Sequence, residues 1–338
     1  MVTKYAQELR LVQQPSFMWI IPVFLYPILP QFAMFDSVTS LSFDSFSLHQ
    51  FDEDDIVEIF GHFFPTVQKL DLGDLRSTVG RLVRFLLHFR VLDDFSISDP
   101  KWDEDDAPLA SASVDPPPFR GELYFMGLNA DSADFVSLLA CIPIAFQRVS
   151  VVGCQLPSAP LNRLLNQLSL SLREFSMSTW FDGGFKAHLV LLSADDPNAG
   201  DRFLAVDLSP CVGVEEIRLF VAMVPVAAFP FRSVRETLVS VSSRWVRTII
   251  LDFIIDHAVD LFDEGFLRSF SGLDPELKRI ASGYEGAGKM VVKLSANEPS
   301  CLGSCLTGFR TCGDLAISRI GGPLECGDVQ WSSGCGGQ

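Results

Sequence analysis

The stretch Gly283-Tyr284-Glu285-Gly286-Ala287-Gly288-Lys289 has the spacing of a loop that wraps phosphates in backbone N–H groups and reaches them with its lysine. Two features argue against that chemistry. Met290 stands where a serine or threonine would hold the metal. The order expected around the loop is helix to strand, with the strand at 290–294, the reverse of the strand-to-helix order that aims a helix N-terminus at an anion. A glycine-rich helix end is the expectation, and no cofactor is assigned. The five histidines, His49, His62, His88, His188 and His257, are dispersed, and no HExxH or GxSxG motif sets a base beside a nucleophile. His62 and His88 fall at the ends of expected helices, where capping or partial burial accounts for them. Cys301, Cys305, Cys312, Cys326 and Cys335 lie among glycines with long gaps and no histidine, so the zinc signal is weak and no metal is assigned. The run Asp99-Pro100-Lys101-Trp102-Asp103-Glu104-Asp105-Asp106 is acidic enough for calcium but lacks ligands at alternate positions around a glycine turn. An acidic and proline-rich loop over 99–118, solvated or in contact with a partner, is expected instead, with Trp102 as its aromatic anchor. No enzyme chemistry has a named residue, so the expectation is a protein without catalytic activity.

Charge and composition narrow the partners. A formal net charge of -16 and a pI near 4.6 repel phosphate backbones, which excludes general nucleic-acid binding. The chain is 48% hydrophobic with 29 Phe against 4 Tyr, the composition of a large aromatic core with few hydroxyl tips to satisfy. Residues 17–35 are nearly all apolar, but Pro22, Pro27 and Pro30 break any continuous helix, so a buried flank is expected and a membrane attachment is the rival. Eight cysteines, no Asn-x-Ser/Thr acceptor and no cleavable leader pattern favour a reducing, intracellular setting, cytoplasmic or nuclear.

The elements that would position a surface come from a repeat. An apolar residue, two free positions, an apolar residue, one free position and a third apolar residue recur as Val38/Leu41/Phe43, Val67/Leu70/Leu72, Leu92/Phe95/Ile97, Phe146/Val149/Val151, Leu172/Phe175/Met177, Val214/Ile217/Leu219 and Val246/Ile249/Leu251. Leu123/Phe125 and Val292/Leu294 are partial copies, and Ala6/Leu9/Leu11 is a candidate opening rung. The last two positions alternate as in a strand. Positions 41, 70, 95, 123, 149 and 175 are separated by 29, 25, 28, 26 and 26 residues, the period of leucine-rich repeats. Between them the period becomes helical, in Ile56/Ile59/Phe60/Phe63/Phe64, Val79/Leu82/Val83/Leu86, Phe135/Leu138/Leu139/Ile142 and Leu161/Leu164/Leu165/Leu168. Later stripes are Val234/Leu238/Val241 and Val259/Phe262/Phe266/Leu267/Phe270.

The sequence therefore predicts an α/β leucine-rich-repeat-like solenoid over 1–295, with parallel strands on the inner face and helices outside, and a Gly/Cys-rich, disordered tail over 296–338. Register is irregular around 178–213, where Phe203/Val206/Leu208 competes with Val214/Ile217/Leu219 as the next anchor. Polar strand positions such as Ser42, Asp71 and Ser96 are the expected partner-binding residues, together with Trp102.

The segments 38–98, 116–128 and 206–219 carry a resemblance. Ser40-Leu41-Ser42-Phe43, Phe95-Ser96-Ile97-Ser98-Asp99-Pro100, Phe119-Arg120-Gly121-Glu122-Leu123 and Val206-Asp207-Leu208-Ser209-Pro210-Cys211 look like mushroom-type fungal F-box/leucine-rich-repeat proteins, over about 5–295 of the chain. The resemblance implies repeats that select a client and an F-box that engages the adaptor of a cullin-type ubiquitin ligase. This sequence departs from the pattern in leaving no room for an F-box ahead of Ala6. Asp55-Ile56-Val57-Glu58-Ile59-Phe60-Gly61-His62-Phe63 is similar to an F-box helix but lies between two anchors, as a repeat helix should.

Overall fold

In a strand, alternate side chains take opposite faces, so SLSFD, KLDLG, DFSIS and ELYFM each offer two apolar residues to one side and three mainly polar ones to the other. The computed structural model describes residues 7–12, 37–48, 64–104, 119–178, 205–223, 229–255, 272–286, 291–296, 316–318 and 328–330. The chain forms a mixed α/β fold with two compact units, Met1–Ser150 and Val151–Gln338.

In the first unit, β1 (Glu8–Val12), β2 (Ser40–Asp44), β3 (Lys69–Gly73), β5 (Asp94–Ser98) and β7 (Glu122–Met126) lie side by side and parallel. A short ladder joins β4 (Arg76–Ser77) to β6 (Lys101–Trp102). The register pairs Leu9 with Leu41, Leu41 with Leu70, Leu70 with Phe95 and Phe95 with Leu123, so the anchors form one row and the opening rung is a strand. The fixed register has a local cause. The carbonyl just before each strand takes N–H groups from the chain alongside: Gln7 O from Thr39 and Ser40, Thr39 O from Gln68 and Lys69, Gln68 O from Asp93 and Asp94, and Gly121 O from Gln147 and Arg148, all at 2.8 to 3.2 Å.

The residue after each of β2, β3, β5 and β7 turns the chain through the left-handed region. Ser45, Asp74 and Asp99 have φ of 57°, 47° and 47°, and Gly127 has 64°. Short polar side chains tolerate this conformation better than branched ones, and glycine pays nothing for it. The N–H groups of Ser45, Asp74 and Asp99 then reach Gly73 O, Ser98 O and Met126 O at 2.8 to 3.0 Å, extending each ladder by one bond.

Helix α1 (Val79–Leu87) opens at Thr78, whose hydroxyl accepts the Arg81 N–H at 3.3 Å, and buries Val79, Leu82, Val83, Phe85 and Leu86. A 3-10 turn (Ala130–Ser132) leads into α2 (Ala133–Leu139). Phe135, Val136 and Leu139 are its buried face, whereas Leu138 is half-buried and Ile142 lies beyond the helix end, so the sequence reading placed this stripe too far along the chain. Phe135 packs against the rings of Phe95 and Phe125 at 6.3 and 6.4 Å.

β8 (Arg148–Val152) spans the division between the units. In the second unit, α3 (Ser158–Gln167) buries Pro160, Leu161, Leu164 and Leu165, and Leu168 closes it. It precedes β9 (Glu174–Ser178), β10 (Glu216–Met223), α4 (Phe229–Ser240), β11 (Thr248–Ile255), α5 (Asp274–Gly283) and β12 (Val291–Ala296). β9 to β12 are parallel in the row Phe175, Ile217, Ile249, Val292. The same carbonyl device recurs, from Arg173 O to Glu215 and Glu216 and from Glu215 O to Arg247 and Thr248. β13 (Ala316–Ser318) and β14 (Asp328–Gln330), both within the tail, run antiparallel to each other, and β14 runs antiparallel to β12.

The rival anchor at Val206/Leu208 is not a strand. Residues 205–208 form a connection pinned to helices: Asp207 N–H donates to Asn162 Oδ1 of α3, while Val206 N–H and Leu208 N–H donate to Thr237 Oγ1 and Ser240 Oγ of α4. Both apolar side chains are buried, which explains their strand-like signature. Phe203 and the helical stripes at 56–63 and 259–270 lie outside the described residues, as do residues 17–35.

Gly121 gives the fold a test. A Cβ there would stand 1.8 Å from Asp94 Oδ1, the atom that accepts the Glu122 N–H at 2.6 Å. Gly121→Ala is expected to cost about 1–3 kcal/mol by displacing that carboxylate. In a double-mutant cycle by urea unfolding, Asp94→Ala should absorb a large part of this cost, whereas strictly additive losses would place the glycine's role elsewhere.

Candidate polar strand face

The parallel strands of the first unit bury one face only. Leu41, Phe43, Leu70, Leu72, Phe95, Ile97, Leu123 and Phe125 are at most 1% exposed, while their strand neighbours remain partly accessible. Parallel sheets are usually covered on both faces and read as continuous apolar runs. Here the second face carries hydroxyls and charges.

Register brings three of the expected partner residues together. Ser42 lies opposite Asp71, Asp71 opposite Ser96, and Ser96 opposite Tyr124. The Ser42 hydroxyl reaches Asp71 Oδ2 at 3.4 Å. Two residues along each strand the row is Asp44, Gly73, Ser98 and Met126. Most carboxylates here have local partners. Arg10 pairs with Asp44 at 2.8 Å, Lys101 with Asp74 at 2.6 Å and Arg148 with Glu122 at 4.0 Å, while Asp94 accepts the Glu122 N–H. Tyr124 belongs to the row and was missed because Leu123/Phe125 was read for its apolar pair alone; alternation at that pair places Tyr124 on the polar face. The Tyr124 hydroxyl leans along its own strand to Met126 Sδ at 3.6 Å.

Trp102 is not brought to this row. Its Nε1–H donates to Ser132 Oγ at 2.8 Å, and its ring stacks on Phe135 with centroids 5.3 Å apart. The acidic stretch thus begins as the β6 strand, with Asp103 binding Arg76 at 2.8 Å, and residues 105–118 lie outside the described residues. In the second unit, Arg218 stands 5.9 Å over the Phe220 ring and 3.4 Å from Asp252.

The other chemical candidates are placed as follows. α5 ends at Gly283, and Glu285 inside the glycine-rich stretch is tied back by its N–H to Arg244 O at 2.8 Å and by its carboxylate to the Arg244 guanidinium. The strand Val291–Ala296 follows, so the order is helix to strand. His88 caps α1, and burial holds its imidazole below the ordinary 6.5. Among the described residues, no group of three or more His, Cys, Asp or Glu is gathered to hold a metal, and no helix is long and apolar enough to cross a membrane. The chain matches no protein-family model and no curated protein.

Cys211 is a buried thiol whose Sγ donates to Leu165 O at 3.4 Å. Burial, aided by Asp207, pushes its pKa up from 9.0 to about 12, so it stays a thiol where a nucleophile must be a thiolate. Between about 9 and about 12 the unfolded chain releases this proton and the folded one keeps it, so the contribution to stability is whole below about 9 and declines above it. Urea midpoints from pH 8 to 10.5 should fall more steeply for the native chain than for Cys211→Ala; parallel curves would contradict the burial effect. At pH 8, iodoacetamide should modify the exposed Cys141 well before Cys211.

Proposed function

We propose that this chain is a non-enzymatic protein-recognition solenoid whose binding surface is the polar face of its parallel strands. The observation that carries the reading is the partly accessible polar face of the first unit, with Ser42, Asp71, Ser96 and Tyr124 in one register row. A parallel sheet that alternates instead of burying both faces leaves a broad rigid surface of short polar side chains. Such a surface suits a protein partner better than a small molecule, which needs a concave and mostly apolar pocket. The periodic strand and helix units support the solenoid reading, since a unit this short buries its apolar side only against a neighbour.

A second reading rests on the segments that resemble F-box/leucine-rich-repeat proteins. In it the same face selects a client for a cullin-type ubiquitin ligase. Co-precipitation of the ligase adaptor with the native protein separates the two.

The surface itself is tested by placing a photo-crosslinking amino acid at Ser96, and separately at the exposed Asp134 of α2, in the cells that make the protein. Discrete crosslinked partners at Ser96 and none at Asp134 are expected. The same partners from both sites, or none from Ser96, would overturn the assignment of the strand face.

A further inference from the structure

The carboxylates of strands β2, β3, β5 and β7 are unequally satisfied. Asp44 has Arg10, Asp94 has the Glu122 N–H, and Glu122 has Arg148 and the Ser150 hydroxyl. Asp71, at the middle of the face, has the Ser42 hydroxyl and, among the described residues, no basic partner. Its register neighbours, Ser42 and Ser96, are short, and Gly73 adds no side chain two residues along. A hypothetical Cβ on Gly73 would meet its nearest atoms only at 3.6 Å, ordinary contact. Side-chain size thus makes Ser42, Asp71, Gly73, Ser96 and Ser98 the low middle of the face, a trough in the sense of short residues among longer ones, with the exposed Lys69 two residues back on β3. The Arg10–Asp44 pair lies at one side and Tyr124 with Met126 at the other.

Asp71 is half-buried, and partial removal of water strengthens the field of a carboxylate that forms no ion pair; Lys69, on the same face of β3, is not paired with it among the described residues. We propose that Asp71 is the anchor for an arginine or lysine side chain of a protein partner, seated in this trough. The inference rests on the strand face being the recognition surface and goes further by naming the partner's chemistry. The cation replaces the missing counter-charge on Asp71 while Ser42 and Ser96 offer hydroxyl oxygens to its remaining N–H groups. Tyr124 bounds the trough two strands away, about 10 Å at the usual spacing, leaving room for one extended side chain. The overall charge of -16 favours the approach of a basic segment.

The probe is a fluorescein-labelled hexa-arginine peptide, with hexa-glutamate beside it, read by anisotropy in 150 mM salt against the full chain. Asp71→Asn keeps the shape and removes the charge, and is expected to weaken hexa-arginine binding about tenfold. Asp134→Asn makes the same charge change on an exposed helix position and should alter binding less than about twofold. Ser96→Lys supplies a cation beside Asp71 from within and should also weaken binding about tenfold, with a thermal melt reporting that the variant folds. Equal weakening by Asp71→Asn and Asp134→Asn would show diffuse attraction to an acidic protein and overturn the proposal, as would no binding of hexa-arginine. If crosslinks at Ser96 still capture a partner in that case, the strand face stands as the recognition surface and only its basic anchor falls.

Discussion

The structure depends on one shared hydrogen-bonding device. The carbonyl just before a strand accepts N–H groups from two successive residues of the neighbouring chain, as Thr39 does from Gln68 and Lys69 in the first unit and Glu215 does from Arg247 and Thr248 in the second. Because the acceptor sits at the same place ahead of each of these strands, they begin in step with their neighbours; ahead of β5 the second bond is replaced by a side chain, Asp93 O taking the Gly121 N–H and Asp94 Oδ1 the Glu122 N–H. A one-residue slip would exchange the two faces, putting Leu41 and Phe43 outward and Ser42 inward. The core and the polar face are therefore set by the same bonds. In the first unit the left-handed corner after each of β2, β3, β5 and β7 closes the other end, so each of these rungs is bounded at both ends with only five residues between.

That constraint explains why the repeat was legible. Apolar residues at the second and fourth strand positions are required of every rung, and the anchors at 41, 70, 95 and 123 pair as their spacing predicts. The corners were less legible because Ser45, Asp74, Asp99 and Gly127 are four positions filled by three residue types. They share a tolerance of positive φ rather than an identity. The expected stripes at α1 and α3 are the buried faces of those helices, two other stripes lie largely outside the described residues, and α5 (Asp274–Gly283) carried none. α2 is only seven residues long, so a stripe counted from Phe135 to Ile142 runs past its end, and Val136 takes the buried position assigned to Leu138.

Two placements that the sequence left open share a physical origin, the reach of side chains across units of the repeat. Val206 and Leu208 alternate like a strand, yet the N–H groups of Val206, Asp207 and Leu208 are satisfied by Thr237, Asn162 and Ser240, residues 31 to 45 positions away in sequence. Thr237 is fully buried on α4, and a buried hydroxyl in a helix needs a partner that no local pattern names. Trp102 reads as an anchor among charges because its neighbours are acidic, but Ser132 and Phe135 lie one repeat further on and take its ring into the packing. The local sequence carries no trace of either contact.

The polar face was legible by position and not by pairing. Alternation alone sets Ser42, Asp71 and Ser96 on one side, and equal strand spacing makes them a row. Which charges are already answered within the protein depends on the strand beside each one. Arg10 reaches Asp44 from β1, and Gly121 clears the space in which Asp94 caps Glu122, whereas Asp71 is flanked by two serines. A register that fixes the core so tightly leaves the face little freedom to rearrange. Among the described residues Asp71 has only a serine hydroxyl at 3.4 Å, whereas Asp44 and Glu122 have arginines and Asp94 has a backbone N–H at 2.6 Å, which is why Asp71 marks the place where recognition by charge would begin.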